Sequence, residues 1–363
     1  MLHAFAPLLI PLWTTGFLST GPHAWWTVPA WLLPMALPVL ADRCNWRGWH
    51  PGRPVPHPLA YVILGLLAGL FVINTGLLLQ MAGQWRWHWP GICHTLADLL
   101  AVKFLVGSNA ALSGILVAHE LIHRPGRFAR TLGRSLLILC LYEHFFTEHL
   151  RGHHRRVGRP DDPATARPGE SYRRFWRRSV PAQFRSAWRL ESRRLYRHGL
   201  PWWHHRVLQG ILAEVSLLFA IGMVFGAAAL SAFALQALMA VRNLEAINYL
   251  QHWGLTRRPG ESPQAHHAWG TDTWCSTHLI LGLAHHAHHH QAPGIPYAAL
   301  SALPESPRLP YGYFFLVFLI TYRNERFQAL ALQELQRRGL VAQANAAPVI
   351  RYSPKASPAP TKA

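Results

Sequence analysis

The chain has 363 residues; 50% of them are hydrophobic, and 35 basic against 16 acidic residues give a formal charge of +19. The apolar residues stand in long blocks rather than in amphipathic stripes, which argues against an ordinary soluble domain and indicates a membrane protein. Four scattered cysteines without a CxxC spacing argue against a zinc ribbon and a disulfide framework.

Six apolar blocks are each close to the ~20 residues that a helix needs to cross a bilayer. They predict an all-α membrane protein with about six transmembrane helices, at residues 4–20, 24–41, 58–82, 95–118, 207–225 and 227–247. We expect residues 1–342 to form one membrane domain. Residues 343–363 are rich in Ala, Pro and Ser, so we expect a disordered tail there.

Two helices are expected outside the spans. Residues 131–147 are apolar but too short to cross a bilayer, and they predict a buried or interfacial helix that presents the histidines following it. Residues 322–340 alternate charged residues with leucine and alanine and predict a surface helix.

The distribution of arginine predicts the orientation, because cytoplasmic loops carry the excess of Lys and Arg. Fifteen arginines lie in residues 151–206, and Arg43, Arg47 and Arg53 lie between the second and third spans. With both termini cytoplasmic, both loops fall on the cytoplasmic side. Topology and attraction to anionic lipid headgroups are a sufficient explanation of the arginine-rich loop.

Three histidine clusters lie beside predicted membrane boundaries. Residues 119–123 read His-Glu-Leu-Ile-His, with two imidazoles at i and i+4 on one helix face. Residues 148–154 read Glu-His-Leu-Arg-Gly-His-His, where we expect the first two histidines to share a face and the third to lie one position round. Residues 285–290 are histidine at all positions but one, and a single histidine follows the sixth span. The nine candidate ligands are His119, His123, His149, His153, His154, His252, His286, His289 and His290.

Nine imidazoles are too many for one ion but suit two, each with an open or bridging position for oxygen. On the predicted topology all of them lie on the cytoplasmic side. Imidazole binds iron, copper, nickel and zinc, so the ligand type alone does not name the metal. Glu120, Glu148 and Asp272 are candidates for carboxylates that orient the ligands.

Two other classes of protein compete with this interpretation. Residues 119–123 also match HExxH, the zinc-protease signature in which Glu120 would be the general base. An intramembrane protease needs only one more protein ligand, which would leave most of the other histidines without a role. A divalent-metal transporter would need ionisable residues deep within the spans, whereas Asp98, Lys103 and Glu214 are few and mostly near predicted ends.

The clusters resemble the integral-membrane alkane hydroxylase (alkane 1-monooxygenase) family, within the larger group of histidine-box membrane di-iron desaturases and hydroxylases. The matching motifs are residues 119–123, 148–154, 248–255 and 286–297. The stretch from Asp161 to Arg167, between the second and third motifs, is also similar to the family pattern. Altogether the resemblance covers roughly residues 95–300.

The resemblance implies a six-helix bundle with a cytoplasmic histidine-rich cap, in which the nine histidines hold two non-haem iron ions (Fe2+/Fe3+). It implies hydroxylation of a terminal methyl group of an apolar substrate, first of all an n-alkane, by O2. Electrons would come from rubredoxin or ferredoxin and an NAD(P)H-dependent reductase, and complementary charge on the arginine-rich loop would speed docking of an acidic donor. The expected location is a bacterial inner (cytoplasmic) membrane, with lipid and no nucleic acid as partner.

The chain departs from the family pattern beside the candidate ligand His252. Gln251-His252-Trp253-Gly254 stands where the family usually has Glu-His-Tyr-Gly, so Gln251 is the fourth candidate neighbour of a ligand. This departure leaves a methyl-aromatic (xylene-type) or fatty-acyl substrate, and desaturation, as alternatives.

The third cluster permits two registers. The one with His286, His289 and His290 is preferred because Pro293 and Tyr297 then match the family pattern. The other would use His285, His288 and His289.

Overall fold

The computed structural model describes residues 2–44, 55–258 and 260–340, and within them it contains helices and no β-strand. We number the helices in chain order. They are α1 (Leu9–Thr20), α2 (Val28–Arg43), α3 (His57–Gly83), α4 (Gly91–Ile122), α5 (Arg127–Leu139), α6 (145–156), α7 (Tyr172–His198), α8 (Arg206–His252), α9 (Trp274–His278), α10 (His286–Gln291), α11 (Tyr313–Tyr322) and α12 (Asn324–Arg337).

Among the described residues, three helices are long and apolar enough to cross a membrane: α3, α4 and α8. The first two correspond closely to the predicted spans 58–82 and 95–118. The predicted spans 4–20 and 24–41 fall on shorter helices, since α1 has 12 residues after a 3₁₀ segment at Leu2–Leu8 and α2 has 16. The proposed tail at 343–363 lies outside the described residues.

Helix α8 has 47 residues and contains a sharp bend at Gly226. Gly226 has φ 81° and ψ 179°, a backbone conformation that is essentially restricted to glycine. A Cβ atom at Gly222 would lie 3.5 Å from the Leu230 side chain, although residues eight apart in a straight helix are separated by about 12 Å. The two arms of α8 therefore fold towards each other, at the point where the sequence predicts a break between spans 207–225 and 227–247.

The long helices pack around one apolar core. Helix α8 lies against α3 and against the middle of α4, while α7 crosses both α8 and α6. Phe71 of α3, Phe175 of α7 and Tyr249 of α8 are fully buried there. In contrast, the first arm of α8 exposes Leu212, Phe219 and other large apolar side chains, as a surface in contact with lipid does.

The region after α4 differs from the single helix expected at 131–147. Helix α5 ends at Leu139, the chain reverses at Leu141 with φ 52°, and the separate helix α6 presents the second histidine cluster. Gly133 of α5 permits close packing on α4, since a Cβ atom there would lie 2.8 Å from a methyl group of Ile122. The expected surface helix at 322–340 is present as α12.

Candidate metal centre

Four helical segments bring the nine candidate histidines together. Two histidines come from the end of α4 and the residue after it, three from α6, one from the last residue of α8 and three from α10. Their ring nitrogens form two groups, each with all ligand atoms within 4.8 Å of one another. The five-histidine group is His119, His123, His149, His154 and His289. The four-histidine group is His153, His252, His286 and His290.

The nitrogens of the five-histidine group approach one another as ligands of a shared ion do. Four Nε2–Nε2 distances link the five rings into a chain: His119–His289 is 3.1 Å, His289–His154 3.2 Å, His154–His149 2.9 Å and His149–His123 3.0 Å. With the bond of about 2.1 Å that imidazole makes to zinc as a guide, two nitrogens at right angles lie about 3.0 Å apart. The group thus fits adjacent positions around one transition-metal ion.

The four-histidine group has similar spacings and fewer nitrogens. The Nε2 atom of His286 lies 3.2 Å from that of His252 and 2.9 Å from that of His290. The Nε2 atom of His153 is buried and has no hydrogen-bond partner among the described residues. A donor set of four nitrogens leaves more open positions on an ion than a set of five.

A π-helical turn divides the second cluster between the two groups. The His154 N–H donates to the carbonyl of His149, five residues earlier, so residues i and i+5 are aligned in this turn. His149 and His154 consequently point into the five-histidine group, and His153 points into the four-histidine group. This differs from the sequence expectation that His149 and His153 share a face, which assumed an α-helical turn.

Burial keeps most of the imidazoles in the uncharged form that binds metals. It lowers the pKa of His123 to about 3 and the pKa of His149, His154, His289 and His290 well below 6.5, and neighbouring histidines lower these values further. The four-histidine group is fully buried. In the five-histidine group, His123 and His154 are half-buried, so this group lies nearer to the protein surface.

Asp162 is a carboxylate in contact with a candidate ligand, and it is not among the carboxylates expected from the sequence. Its Oδ2 atom lies 2.9 Å from Nδ1 of His153 and accepts a hydrogen bond from Thr165 Oγ1 at 2.7 Å, while the Ala164 N–H donates to Oδ1 at 3.2 Å. Burial alone would raise the pKa of this carboxyl, but His153 and the hydrogen bonds lower it to about 2. An ionised Asp162 orients the His153 ring so that Nε2 faces the group.

Arg257 holds the chain after His252 against the chain after His154. Its guanidinium donates to the carbonyls of Val157 at 2.7 Å and Arg155 at 2.6 Å. This buried contact joins residues 100 apart in sequence and keeps α6 next to the end of α8. No spacing signal in the sequence marks such a residue, because its partners are backbone carbonyls.

The four neighbours selected from the sequence have other contacts. Glu120 is paired with Arg124 and accepts a hydrogen bond from the Tyr297 N–H at 3.1 Å. Both contacts occupy the carboxylate that a zinc protease would use as general base, which weighs against that interpretation.

The other three are not members of either group. Glu148 accepts a hydrogen bond from Arg156 at 2.6 Å. Gln251 donates to the Tyr313 hydroxyl at 3.3 Å, and Asp272 is paired with Arg308 at 2.9 Å.

The two residues that belong only to the alternative register, His285 and His288, have partners outside both groups. Nδ1 of His285 lies 3.2 Å from the carbonyl oxygen of Leu300, and Nδ1 of His288 accepts a hydrogen bond from the Ser301 N–H at 3.1 Å.

A third small group, Glu261 with His266 and His267, was not expected from the sequence. Nδ1 of His267 accepts a hydrogen bond from the Gln264 N–H at 2.9 Å. In the neutral ring the other nitrogen then carries the proton and is not free to bind a metal ion.

Both histidine groups lie in the part of the chain that matches a known family. A sequence model of the fatty acid desaturase family matches residues 94–320, which include all nine histidines. Alkane 1-monooxygenase 1 of Pseudomonas aeruginosa is 36% identical over 270 residues, 71% of this chain and 68% of that protein. Alkane 1-monooxygenase 2 of the same organism is 33% identical over 341 residues, 87% of this chain and 86% of that protein.

A more distant relative acts on another kind of substrate. The hydroxylase component of a xylene/toluene monooxygenase of Pseudomonas putida is 27% identical over 232 residues, 62% of each chain. The family is shown by the extent of the desaturase match together with the identity to the two Pseudomonas aeruginosa enzymes. The chain belongs to the fatty acid desaturase family and, within it, to the alkane 1-monooxygenases, a family of membrane oxidoreductases.

Proposed function

We propose that the nine histidines hold two non-haem iron ions and that the protein inserts one atom of O2 into a terminal methyl C–H bond of an n-alkane. The observation that carries this proposal is the convergence of nine ring nitrogens into one group of five and one of four. The remaining oxygen atom leaves as water, which requires two electrons and two protons from a reductant.

The iron ions, when bound, would supply the oxidising power that an unactivated C–H bond requires. The contribution of the protein is to position them. Imidazoles from four helical segments would hold the two ions, and Asp162 holds one of these imidazoles in orientation. The buried four-histidine group excludes bulk water, while the half-buried edge at His123 and His154 is the shorter route for electrons from a docked donor.

The substrate is proposed to be apolar, because an alkane has no polar handle and must be held within the apolar helices. The names of the two Pseudomonas aeruginosa relatives favour an alkane. A methyl-substituted aromatic is the second candidate, favoured by the likeness to the xylene/toluene enzyme. Gln251 and Trp253, where the family usually has Glu and Tyr, lie on either side of His252 and leave acyl-chain hydroxylation and desaturation as further alternatives.

We propose further that the chain crosses the bacterial inner membrane six times, with α1 and α2 contributing one pass each and the arms of α8 two. The histidine groups would then lie in a cytoplasmic cap. Rubredoxin or ferredoxin, with an NAD(P)H-dependent reductase, is the proposed electron source. Arg130 is exposed and acts electrostatically on His123, so an acidic donor would find positive charge beside the half-buried edge.

Metal analysis with Mössbauer spectroscopy after enrichment with iron-57 tests the metal site. We expect about two irons per chain in a nitrogen-rich environment. One zinc and no iron would contradict the monooxygenase assignment. Incubation of the iron-loaded protein with O2, rubredoxin, reductase and NADH, with n-alkanes and methylarenes offered separately, then tests the substrate: a 1-alkanol supports the first candidate and a benzylic alcohol the second.

A further inference from the structure

The second half of α7 carries a row of arginines on its exposed face. The arginine row consists of Arg185, Arg189, Arg193 and Arg197, which stand four residues apart and are all exposed. Residues at i and i+4 are neighbours on a helix surface, so each adjacent pair in this row brings like charges together and destabilises the isolated helix.

Among the described residues, no carboxylate pairs with the row. None of its four arginines has an ion pair or a side-chain hydrogen bond within the described residues. The stretches outside those residues contain no aspartate or glutamate that could pair with them. By contrast, Arg194 of the same helix faces inward and pairs with Glu191 at 2.6 Å. Uncompensated positive charge in this arrangement indicates an anionic partner.

The row lies where the chain enters the apolar layer. Helix α7 ends at His198 and α8 begins at Arg206; two turns into α8 the exposed side chains are large and apolar, beginning with Leu212. The connection exposes Trp202 by 68% and Trp203 by 58%. Tryptophan concentrates at the level of lipid headgroups, so the end of α7 lies at that level.

We propose that the arginine row binds the phosphate groups of anionic phospholipids. A guanidinium group can bind two phosphate oxygens in a bidentate geometry, which the lysine ammonium group cannot do. Exposed rings stand among the arginines: Trp188 is 38% exposed and Tyr196 88%. Such rings, apolar in body and polar at the edge, suit the boundary between headgroups and acyl chains. They favour a lipid surface over an acidic protein, which would meet the row from the aqueous side.

The test uses the full-length protein reconstituted in phosphatidylcholine vesicles with trace spin-labelled lipids. The triple variant R189Q/R193Q/R197Q removes most of the row. The control R173Q/R174Q/R177Q removes the same charge from three exposed positions in the first half of α7. Electron paramagnetic resonance then measures how strongly spin-labelled phosphatidylglycerol, relative to phosphatidylcholine, associates with each protein.

We expect the wild-type protein and the control to prefer phosphatidylglycerol by at least about five-fold, the factor that one arginine near an anionic surface contributes. The row variant should lose most of this preference. Its thermal midpoint in detergent should equal or exceed that of the wild type, because like-charge neighbours have been removed. Undiminished preference in the row variant, or equal loss in the control, would overturn the proposal. If the wild-type protein shows no preference for phosphatidylglycerol, the proposal is also overturned, and an acidic protein becomes the expected partner of the row.

Discussion

Asp162 touches one of the nine histidines, and this makes the two histidine groups experimentally separable. Replacing Asp162 with Asn removes the negative charge and places an amide NH2 where Thr165 Oγ1 or the Ala164 N–H now donates. We expect the affinity for one of two irons to fall by about 10–100-fold, the usual effect of losing a carboxylate behind a histidine ligand.

This effect is measured as the iron content of the protein when iron is limiting. It is also measured by Mössbauer spectroscopy, in which one iron signal should weaken and the other should keep its intensity. Asp161→Asn is the matched control, because Asp161 is exposed and pairs with Arg159. Equal loss of both irons, or no loss, would show that Asp162 does not act through His153.

The register of the third cluster is tested by two single substitutions. His286→Ala removes a nitrogen from the four-histidine group, so iron content should fall from about two to about one per chain. His288→Ala should leave the iron content unchanged, because the His288 ring is bonded to Ser301. The reverse pattern would assign the ligands to His285, His288 and His289.

At the scale of the helices, the bend in α8 depends on one glycine. Gly226→Ala forces a side chain into a conformation that costs about 1–3 kcal/mol for residues other than glycine, so the thermal midpoint in detergent should fall. Gly222→Ala is the control: its backbone is helical and a Cβ atom would make an ordinary contact with Leu230. At this position the higher helix propensity of alanine should stabilise the folded protein by up to about 1 kcal/mol. Similar effects of the two substitutions would refute the role of Gly226.

At the scale of the molecule, the histidine groups join segments that are distant in sequence. His119 and His289, whose Nε2 atoms are 3.1 Å apart, are separated by 170 residues. Metal ions bound there would tie α4, α6, α8 and α10 into one body. At 100 times the dissociation constant, one bound ion adds about 2.7 kcal/mol to stability.

Removal of the metal should therefore lower the thermal midpoint by several °C, an effect of about the size expected when a few kcal/mol are lost from a chain of this length. Chelator-treated protein is compared with the same sample after Fe2+ is added back, which should restore the midpoint. A midpoint that does not respond to chelation would mean that the histidines do not hold a structural cross-link between the helices.

The predictions from the sequence succeed where the signal is local. Apolar runs predict α3, α4 and the division of α8 near Gly226, because the length of a contiguous apolar run determines whether a helix can cross a bilayer. The resemblance to alkane hydroxylases is confirmed by the comparisons. The six spans and the nine ligands stay predictions, although all nine candidate histidines are brought into the two groups.

By itself, the sequence determined which segments are apolar, which histidines stand at spacings suited to metal binding, and which family the chain belongs to. Only the tertiary structure decided how the histidines divide, since the division depends on a π-helical turn whose hydrogen bonding no residue spacing reveals. It also decided that Asp162, which was not among the carboxylates expected from the sequence, meets a candidate ligand. Such contacts depend on how separate helices pack against one another, and packing brings together residues whose distance along the chain carries no information about their distance in space.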